Sequence, residues 1–350
     1  MRLERIAVRG FRNLAALDLE LPPRGVALIG ENGQGKTNLL EAIYYLVLFR
    51  SLRGAKDREL VRFGEAGFFV GGTADVRVTA GYEVEGRRKK VTVDGGAEEK
   101  LSSAVGRILA VAFSPADRSL VAGGPGERRR YLDVLLALAV PGYLNRLLRL
   151  RAALKQRNAA LRRARAEEAR AFDAPFAEAG EEIRRARAAW VSQWGRRVGE
   201  LSAALGEREP VKLAYRVHGP ASIAAGLAET MERDLRRGMT TVGPHRDDLV
   251  LELEGRVLRH FASAGQQRTA AIALRLVEGE TLREARGTDP IALYDDVFAE
   301  LDDDRQERLL TLIERTLPGQ AIVTAPRVAE LPARLLERER WTVKSGQVTT

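Results

Sequence analysis

The chain has 350 residues, of which 45% are hydrophobic and 30% are charged, and its formal net charge is +9. This composition excludes global disorder, and the length allows two domains or one domain with a large insertion. The sequence contains no cysteine, which excludes disulfides, cysteine zinc sites and cysteine nucleophiles. The positive charge indicates a polyanionic partner, or else a general arginine bias of the source proteome.

No membrane segment is expected, because no apolar run is long enough to cross a bilayer and no signal pattern opens the chain. The absence of cysteine also fits a reducing compartment. We therefore expect a cytoplasmic, nucleoid-associated protein.

The first 25 residues are predicted to form two strands, at residues 3–8 and 17–21, because apolar residues alternate with polar ones there. Arg12 and Asn13 lie in the turn between these strands. They either contact a nucleotide bound by the motif that follows, or simply face solvent.

Residues 30–37 read Gly-Glu-Asn-Gly-Gln-Gly-Lys-Thr and match the phosphate-binding pattern G-x-x-x-x-G-K-[ST]. A buried strand is predicted before this stretch and an apolar helix after it, which is the context the motif requires. Its glycines let backbone N–H groups turn toward an anion, and the helix N-terminus adds positive charge. We predict that Lys36 reaches the outer phosphates and that Thr37 holds Mg²⁺. The predicted nucleotide-binding residues are Gly30, Glu31, Asn32, Gly33, Gln34, Gly35, Lys36, Thr37 and Asn38, with Arg12 and Asn13 beside them.

Strands are predicted at residues 68–78, 82–93 and 108–113, and helical periodicity replaces them over residues 132–205. Residues 141–197 contain 14 basic and six acidic residues, a local net charge of +8. Such clustering favours a surface that binds DNA, although helices laced with internal ion pairs would also produce it. The candidate DNA contacts are Arg157, Arg162, Arg163 and Arg165, and the basic turn at residues 87–90 is an alternative.

Residues 243–248 read Gly-Pro-His-Arg-Asp-Asp and form a polar turn between a predicted helix at residues 221–238 and a strand at residues 250–253. We interpret His245 as a hydrogen-bonding residue and not as a metal ligand, because no carboxylate or histidine stands at ligand spacing from it.

Two further motifs complete the predicted site. Ser263, Gly265 and Gln266 stand at the start of a helix and form a second anion-binding end, which is predicted to close over nucleotide bound to another subunit. Asp295 and Asp296 end an apolar strand. Asp295 is placed to hold Mg²⁺ and Asp296 to orient or deprotonate the attacking water, unless both are merely solvated acids.

The order of these motifs resembles the ABC-type ATPases that act on DNA, and several strings resemble the RecF family of bacterial recombinational repair proteins. The fold implied is α/β: an ABC-type ATPase head with a mixed β-sheet, and a helical lobe inserted between the two halves of the nucleotide site. We expect the parts to be residues 1–125, 126–240 and 241–350. The strings that carry the resemblance lie at residues 11–13, 33–44, 113–115, 243–248, 264–268 and 295–302.

The resemblance implies ATP and Mg²⁺ as cofactors and an ATP-driven head-to-tail homodimer. In it, Ser263 and Gly265 would complete the partner's site, and Asp302 would lie at the interface. It also implies sequence-independent binding to gapped or junction DNA, and work with RecO and RecR to load a recombinase. Asp296 stands where most ABC ATPases place Glu, and Thr324 near where transporters place a switch His. Hydrolysis is therefore expected to be slow and DNA-stimulated.

Two other functions compete with this interpretation. The ATPase subunit of a membrane transporter would carry the switch His and a short helical lobe without the basic cluster. A chromosome-organising ATPase of the SMC type would carry hundreds of heptad residues between the two halves of the site, far more than this chain has.

Overall fold

The computed structural model describes residues 1–97, 101–299 and 303–350. These residues form two compact units. The first comprises Met1–Ala116 and Glu278–Thr350, and the second comprises Asp117–Val277. The division differs from the boundaries at residues 126 and 241 that composition suggested, and those boundaries stay a prediction.

The N-terminal part of the first unit alternates strands with short helices. Six of its strands form an antiparallel sheet in the order β2-β1-β4-β5-β6-β7. In chain order the elements are β1 (Arg5–Arg9), β2 (Leu17–Glu20), β3 (Gly25–Ile29), α1 (Lys36–Leu48), α2 (Asp57–Leu60), β4 (Gly67–Thr73), β5 (Arg77–Glu83), β6 (Arg88–Val93), β7 (Gly96–Ala97), α3 (Leu101–Ala104) and β8 (Ala110–Phe113).

The second unit is mostly helical, as the periodicity over residues 132–205 predicts, with a three-stranded antiparallel sheet in the order β11-β10-β9. Pro175 lies in the first turn of α8, where a proline costs no helical hydrogen bond. The elements are α4 (Arg118–Ala122), α5 (Pro125–Ala139), α6 (Tyr143–Arg162), α7 (Ala166–Arg170), α8 (Asp173–Ala204), β9 (Lys212–Arg216), α9 (Ile223–Arg237), β10 (Asp248–Leu253), β11 (Arg256–Val257), α10 (Leu258–Phe261) and α11 (Ala264–Arg286), whose last turns belong to the first unit.

The C-terminal part of the first unit contributes β12 (Ile291–Tyr294), α12 (Asp303–Thr316), β13 (Ala321–Ala325), β14 (Glu339–Lys344) and β15 (Gln347–Thr349). With β3 and β8 these strands make a sheet in the order β15-β14-β3-β13-β12-β8, in which only β15 pairs antiparallel to its neighbour. Because the other strands are parallel, their carboxyl ends meet at one edge of the sheet. The sheet is mixed, as predicted.

The buried side chain of Gln320 joins segments that are distant in the chain. Its amide oxygen accepts the N–H of Leu3 at 2.8 Å, and its amide nitrogen donates to the carbonyl oxygens of Leu3 and Pro22, both at 2.9 Å. These bonds hold the entry of β13 against the entries of β1 and β3. In the described residues, no helix is both long and apolar enough to span a bilayer.

Candidate functional site

The phosphate loop, residues 30–37, lies between β3 and α1, as the motif predicts. Gly33 and Gly35 have φ angles of 81° and 119°, in a region that residues other than glycine rarely occupy. Lys36 is 4% exposed, and its ammonium donates to the carbonyl oxygens of Gly30 at 2.5 Å and Glu31 at 3.2 Å. The loop therefore holds a buried cation beside a helix N-terminus, an arrangement suited to phosphate.

The β14–β15 turn and the turn after β1 brace this loop from outside. The side-chain oxygen of Gln34 accepts the N–H of Ser345 at 2.6 Å, and its carbonyl oxygen accepts the N–H of Gly346 at 2.8 Å. Asn13 donates to the carbonyl oxygen of Gly33 at 3.3 Å and accepts a hydrogen bond from Asn38 at 2.8 Å. Asn13 thus links the phosphate loop to the start of α1 and is not a free solvent-facing turn residue.

Asp295 directly follows β12, and the sheet brings it to the phosphate loop. The Thr37 hydroxyl donates to its carboxylate Oδ1 at 2.7 Å, although 258 positions separate the two residues. Burial raises the pKa of Asp295, the charge of Asp296 raises it further, and the hydrogen bonds from Thr37 and Thr324 oppose both. Thr37 and Asp295, the two residues predicted to hold Mg²⁺, therefore stand side by side.

Asp296 turns out of the strand with φ at 49°. Its N–H donates to the Thr324 hydroxyl at 2.9 Å, and that hydroxyl lies 3.0 Å from the Oδ1 atom of Asp296 and 3.2 Å from the Oδ1 atom of Asp295. Thr324 belongs to β13 and is 2% exposed. The two predicted acids are thus held by specific hydrogen bonds at the sheet edge and are not merely solvated.

Glu41, a buried carboxylate in α1 that was not among the predicted site residues, binds two arginines behind the loop. Glu41 is fully buried and accepts from Arg12 at 3.0 Å, from Ser51 at 2.5 Å and from the guanidinium of Arg53. Burial alone would raise the pKa of Glu41, but these hydrogen bonds outweigh it and hold the pKa below its usual value. The available signal was a lone acid inside the apolar run that forms α1.

Arg12 and Arg53 have different surroundings. Arg12 donates to Glu41 and to the carbonyl oxygen of Glu59 at 3.2 Å, so its guanidinium is occupied by the protein. Arg53 is 42% exposed and also donates to the Asn38 side chain at 2.6 Å. Burial raises the pKa of Asp295, and the charge of Arg53 opposes that rise only weakly. Arg53 was not predicted as a site residue, but it lies beside Asn38 at the start of α1, close to the predicted chemistry.

Ser263 and Gln266 form a reciprocal cap at the start of α11. The Gln266 N–H donates to the Ser263 hydroxyl at 3.2 Å, and the Ser263 N–H donates to the Gln266 side chain at 3.0 Å. This capping box satisfies two helix-end donors, while Ser263 itself stays exposed. Ser263 and Gly265 lie in the second unit and the phosphate loop in the first. Asp302, predicted at the dimer interface, lies outside the described residues.

The prediction that Arg157 contacts DNA is wrong. Arg157 is fully buried, and its guanidinium donates to Asp173 at 2.7 Å, to Asp234 at 2.8 Å and to the Thr240 hydroxyl at 2.9 Å. It ties α6 to the start of α8 and to α9. The other three predicted arginines are exposed at and just beyond the end of α6: Arg162, Arg163 and Arg165.

Internal ion pairs account for part of the charge cluster at residues 141–197. Arg184 pairs with Asp247 and Arg187 with Asp133, and both arginines are buried. Their acidic partners lie outside the cluster in sequence, as does Asp234, which neutralises the buried Arg157. The local net charge of +8 therefore overstates how basic the surface of these helices is.

The polar turn at residues 243–248 is a structural centre of the second unit. The carboxylate of Asp247 accepts from Arg184 at 2.9 Å and from Tyr215 at 2.7 Å, and Asp248 accepts two hydrogen bonds from Arg128, both at 2.9 Å. His245 lies 3.0 Å from the carbonyl oxygen of Thr240, and burial lowers its pKa to about 4. Among the described residues, no group of three acidic, histidine or cysteine side chains can hold a metal ion.

Comparison with known proteins supplies independent evidence. A family model described as protein of unknown function DUF2813 matches residues 1–76. The chain is 40% identical to a DNA replication and repair protein RecF from Anaeromyxobacter sp. (strain Fw109-5), over 100% of this chain and 99% of that one. It is 37% identical to a protein of the same description from Geobacter sulfurreducens, with both chains covered completely.

Solved structures agree with the sequence comparison. The structure described as the recombination mediator protein RecF-ATP in the RecFOR pathway superposes with a TM-score of 0.91 and 31% identity, covering 99% of this chain and 97% of that one. An Smc head domain from Pyrococcus furiosus superposes with a TM-score of 0.57 and 15% identity, which shows a shared fold only. The fold is therefore that of the ABC-type ATPase heads, as predicted, and the chain belongs to the RecF family of DNA replication and repair proteins.

Proposed function

We propose that this protein binds ATP and acts as an ATP-controlled DNA-binding protein of recombinational repair. The observation that carries the proposal is the meeting of Thr37, Asp295, Asp296 and Thr324 at one edge of the sheet, beside the phosphate loop. Two similar structures are described as RecF-ATP and RecF-ATPrS, which supports ATP as the nucleotide.

Thr37 and Asp295 fit a magnesium ion. Both offer hard oxygen ligands, and their oxygens lie 2.7 Å apart. Mg²⁺ is usually held by one or two carboxylates together with phosphate oxygens and water, so two protein ligands suffice. Bound there, the ion would neutralise charge on the outer phosphates.

The chain's own residues perform the remaining tasks. The loop N–H groups and Lys36 bind and orient the phosphate tail, because the loop lies at the N-terminus of α1 and carries the Lys36 ammonium. Asp296 accepts a proton from, or orients, the water that attacks the terminal phosphate. A carboxylate shorter than the usual Glu reaches less far, which agrees with slow hydrolysis. Stimulation of that hydrolysis by DNA is a further part of the proposal.

A head-to-tail homodimer would place the exposed start of α11, with Ser263, Gly265 and Gln266, over the partner's nucleotide, and Asp302 would lie at the same interface. The N-terminus of this 23-residue helix carries partial positive charge, which suits a terminal phosphate, although the capping box occupies the N–H groups of Ser263 and Gln266.

The DNA surface is proposed on the exposed arginines around the end of α6. Arg162 lies beside Gly238, at the end of α9, so Arg236 and Arg237 in the last turn of α9 are near it. These side chains are exposed and offer phosphate contacts without base readout. Gapped or junction DNA, together with RecO and RecR, is the proposed working context, because one similar structure is described as part of the RecFOR pathway.

Mixed mutants test the dimer. Each composite site in a symmetric head-to-tail pair uses the phosphate loop of one subunit and the start of α11, with Ser263 and Gly265, of the other. Ser263→Arg and Lys36→Ala should each lack ATPase activity, and mixing them should restore part of it, because one site in the heterodimer is intact.

Sedimentation should be measured with ATP, with ADP and without nucleotide, and repeated with gapped duplex DNA. A dimer should appear with ATP and not with ADP or without nucleotide. Ser263→Arg should keep near-wild-type ATP affinity without dimerising. ATP-driven dimerisation of Ser263→Arg to the wild-type extent would eliminate the two-subunit site.

A further inference from the structure

The hydroxyl of Thr324 lies between the carboxylates of Asp295 and Asp296. Thr324 is 2% exposed, in the strand between β3 and β12. Its Oγ1 atom lies within hydrogen-bond distance of the backbone nitrogen of Asp296 and of one carboxylate oxygen each of Asp295 and Asp296. A residue that only filled space in the core would make no such set of contacts.

The backbone at Asp296 needs this support. The N–H of Asp295 donates to the carbonyl oxygen of Phe113 at 2.9 Å and so continues the ladder between β12 and β8. The next residue leaves the ladder with φ at 49°, in the left-handed region that residues other than glycine adopt infrequently. Strained backbone persists where its surroundings fix it, and here the Asp296 N–H finds its acceptor in the Thr324 hydroxyl.

The hydroxyl has one proton and two acidic neighbours. It accepts a hydrogen bond from the Asp296 N–H. Because it has a single proton, it can donate to only one of the two carboxylates at a time. The Oδ1 atom of Asp295 already receives a shorter hydrogen bond, at 2.7 Å, from Thr37, whereas Thr324 lies 3.0 Å from Asp296 and 3.2 Å from Asp295. Donation to Asp296 is therefore favoured.

We propose that Thr324 is a positioning residue that holds both the backbone and the carboxylate of Asp296 in the orientation needed to activate water. The proposal rests on the proposed ATPase function. Thr324 does not touch the nucleotide in this role and acts through Asp296. A threonine can do this without gaining or losing a proton, unlike the histidine of the transporter pattern.

The test compares Thr324→Val, which keeps the shape and removes the hydroxyl, with Thr324→Ser, which keeps the hydroxyl. Loss of a hydrogen bond to a charged group corresponds to about a tenfold to hundredfold effect. Thr324→Val should lower kcat within this range while the ATP dissociation constant, measured by fluorescent-nucleotide titration, changes less than about threefold. Thr324→Ser should recover most of kcat. Equal losses in Thr324→Val and Thr324→Ser would overturn the proposal, because the hydroxyl would then be irrelevant.

A double-mutant cycle separates positioning through Asp296 from general damage. In an Asp296→Asn background the carboxylate that activates the water is already absent. Adding Thr324→Val should therefore reduce the residual kcat by less than about twofold. An additional loss of tenfold or more in that background would refute the inference, since Thr324 would then act independently of Asp296. If instead Asp296→Asn alone kept wild-type turnover, the proposed role of Asp296 would fail.

Discussion

Arg157 provides the sharpest test of how the second unit is held together. Arg157→Met removes the guanidinium and keeps most of the volume, leaving Asp234 buried in α9 without its cation. Asp234 keeps two hydrogen bonds from Thr241, at 2.6 Å and 3.0 Å, so its carboxylate is not fully orphaned. Breaking a buried ion pair by removing one partner costs about 3–5 kcal/mol. That is a large share of the 5–15 kcal/mol, roughly, by which native domains are stable.

Urea unfolding followed by far-UV circular dichroism should show the loss as a midpoint lowered by about 1–5 M, given slopes of about 1–3 kcal/mol per molar urea. Hydrogen exchange of the amides in α6 and α9 should rise in the same variant. Arg162→Met, at an exposed position on the same helix, is the matched control and should change stability by no more than about 0.5 kcal/mol.

Adding Asp234→Asn to Arg157→Met should restore part of the loss, because no unpaired charge then remains buried. A destabilisation below about 1 kcal/mol for Arg157→Met would show that the buried network is not a support of the unit.

Three further predictions use other parts of the molecule. Lys36→Ala should abolish ATP binding in isothermal titration while circular dichroism stays that of the folded protein, because the hydrogen bonds of its ammonium within the described part of the chain go to loop carbonyls. Normal affinity would remove the phosphate-loop assignment. Arg162→Glu with Arg163→Glu should weaken duplex DNA binding and flatten its salt dependence. The logarithm of the binding constant falls by about 0.9 per neutralised phosphate for each tenfold increase in salt. The equally charged pair Arg196→Glu and Arg197→Glu on α8 should do neither. Burial lowers the pKa of His245 to about 4 from an ordinary 6.5, so between these pH values the unfolded chain binds a proton that the folded chain does not. The free energy of unfolding should therefore fall as the pH drops through this window, and His245→Gln, which keeps a side-chain N–H donor, should flatten that dependence.

The strand, loop and helix around the phosphate motif could be predicted because the signals are local. Glycines that need positive φ, a short apolar strand and an apolar helix lie within about 25 consecutive residues. Asp295 at the end of a buried strand follows from the same kind of pattern. That its carboxylate accepts a hydrogen bond from Thr37 follows only from the strand order, in which a single strand separates β12 from β3 and which no local pattern encodes.

Arg157 shows where a charge count misleads. It lies on the same face of α6 as the buried Leu150, Ala153 and Ala160, at helical spacing, so the periodicity marked it as inward-facing. A net charge over a window ignores acidic partners elsewhere in the chain. Asp234 is 77 positions away and becomes a neighbour only when α9 packs against α6.

The contact between Gln34 and the β14–β15 turn makes the nucleotide loop observable from a distance in sequence. The amides of Ser345 and Gly346 are protected only while Gln34 holds its place, since their hydrogen bonds end on its side chain and its carbonyl oxygen. Deuterium uptake at these two positions would therefore report how often the phosphate loop opens. Deuterium uptake by a peptide that contains Ser345 and Gly346 can thus report on the opening of a loop more than 300 residues earlier in the chain.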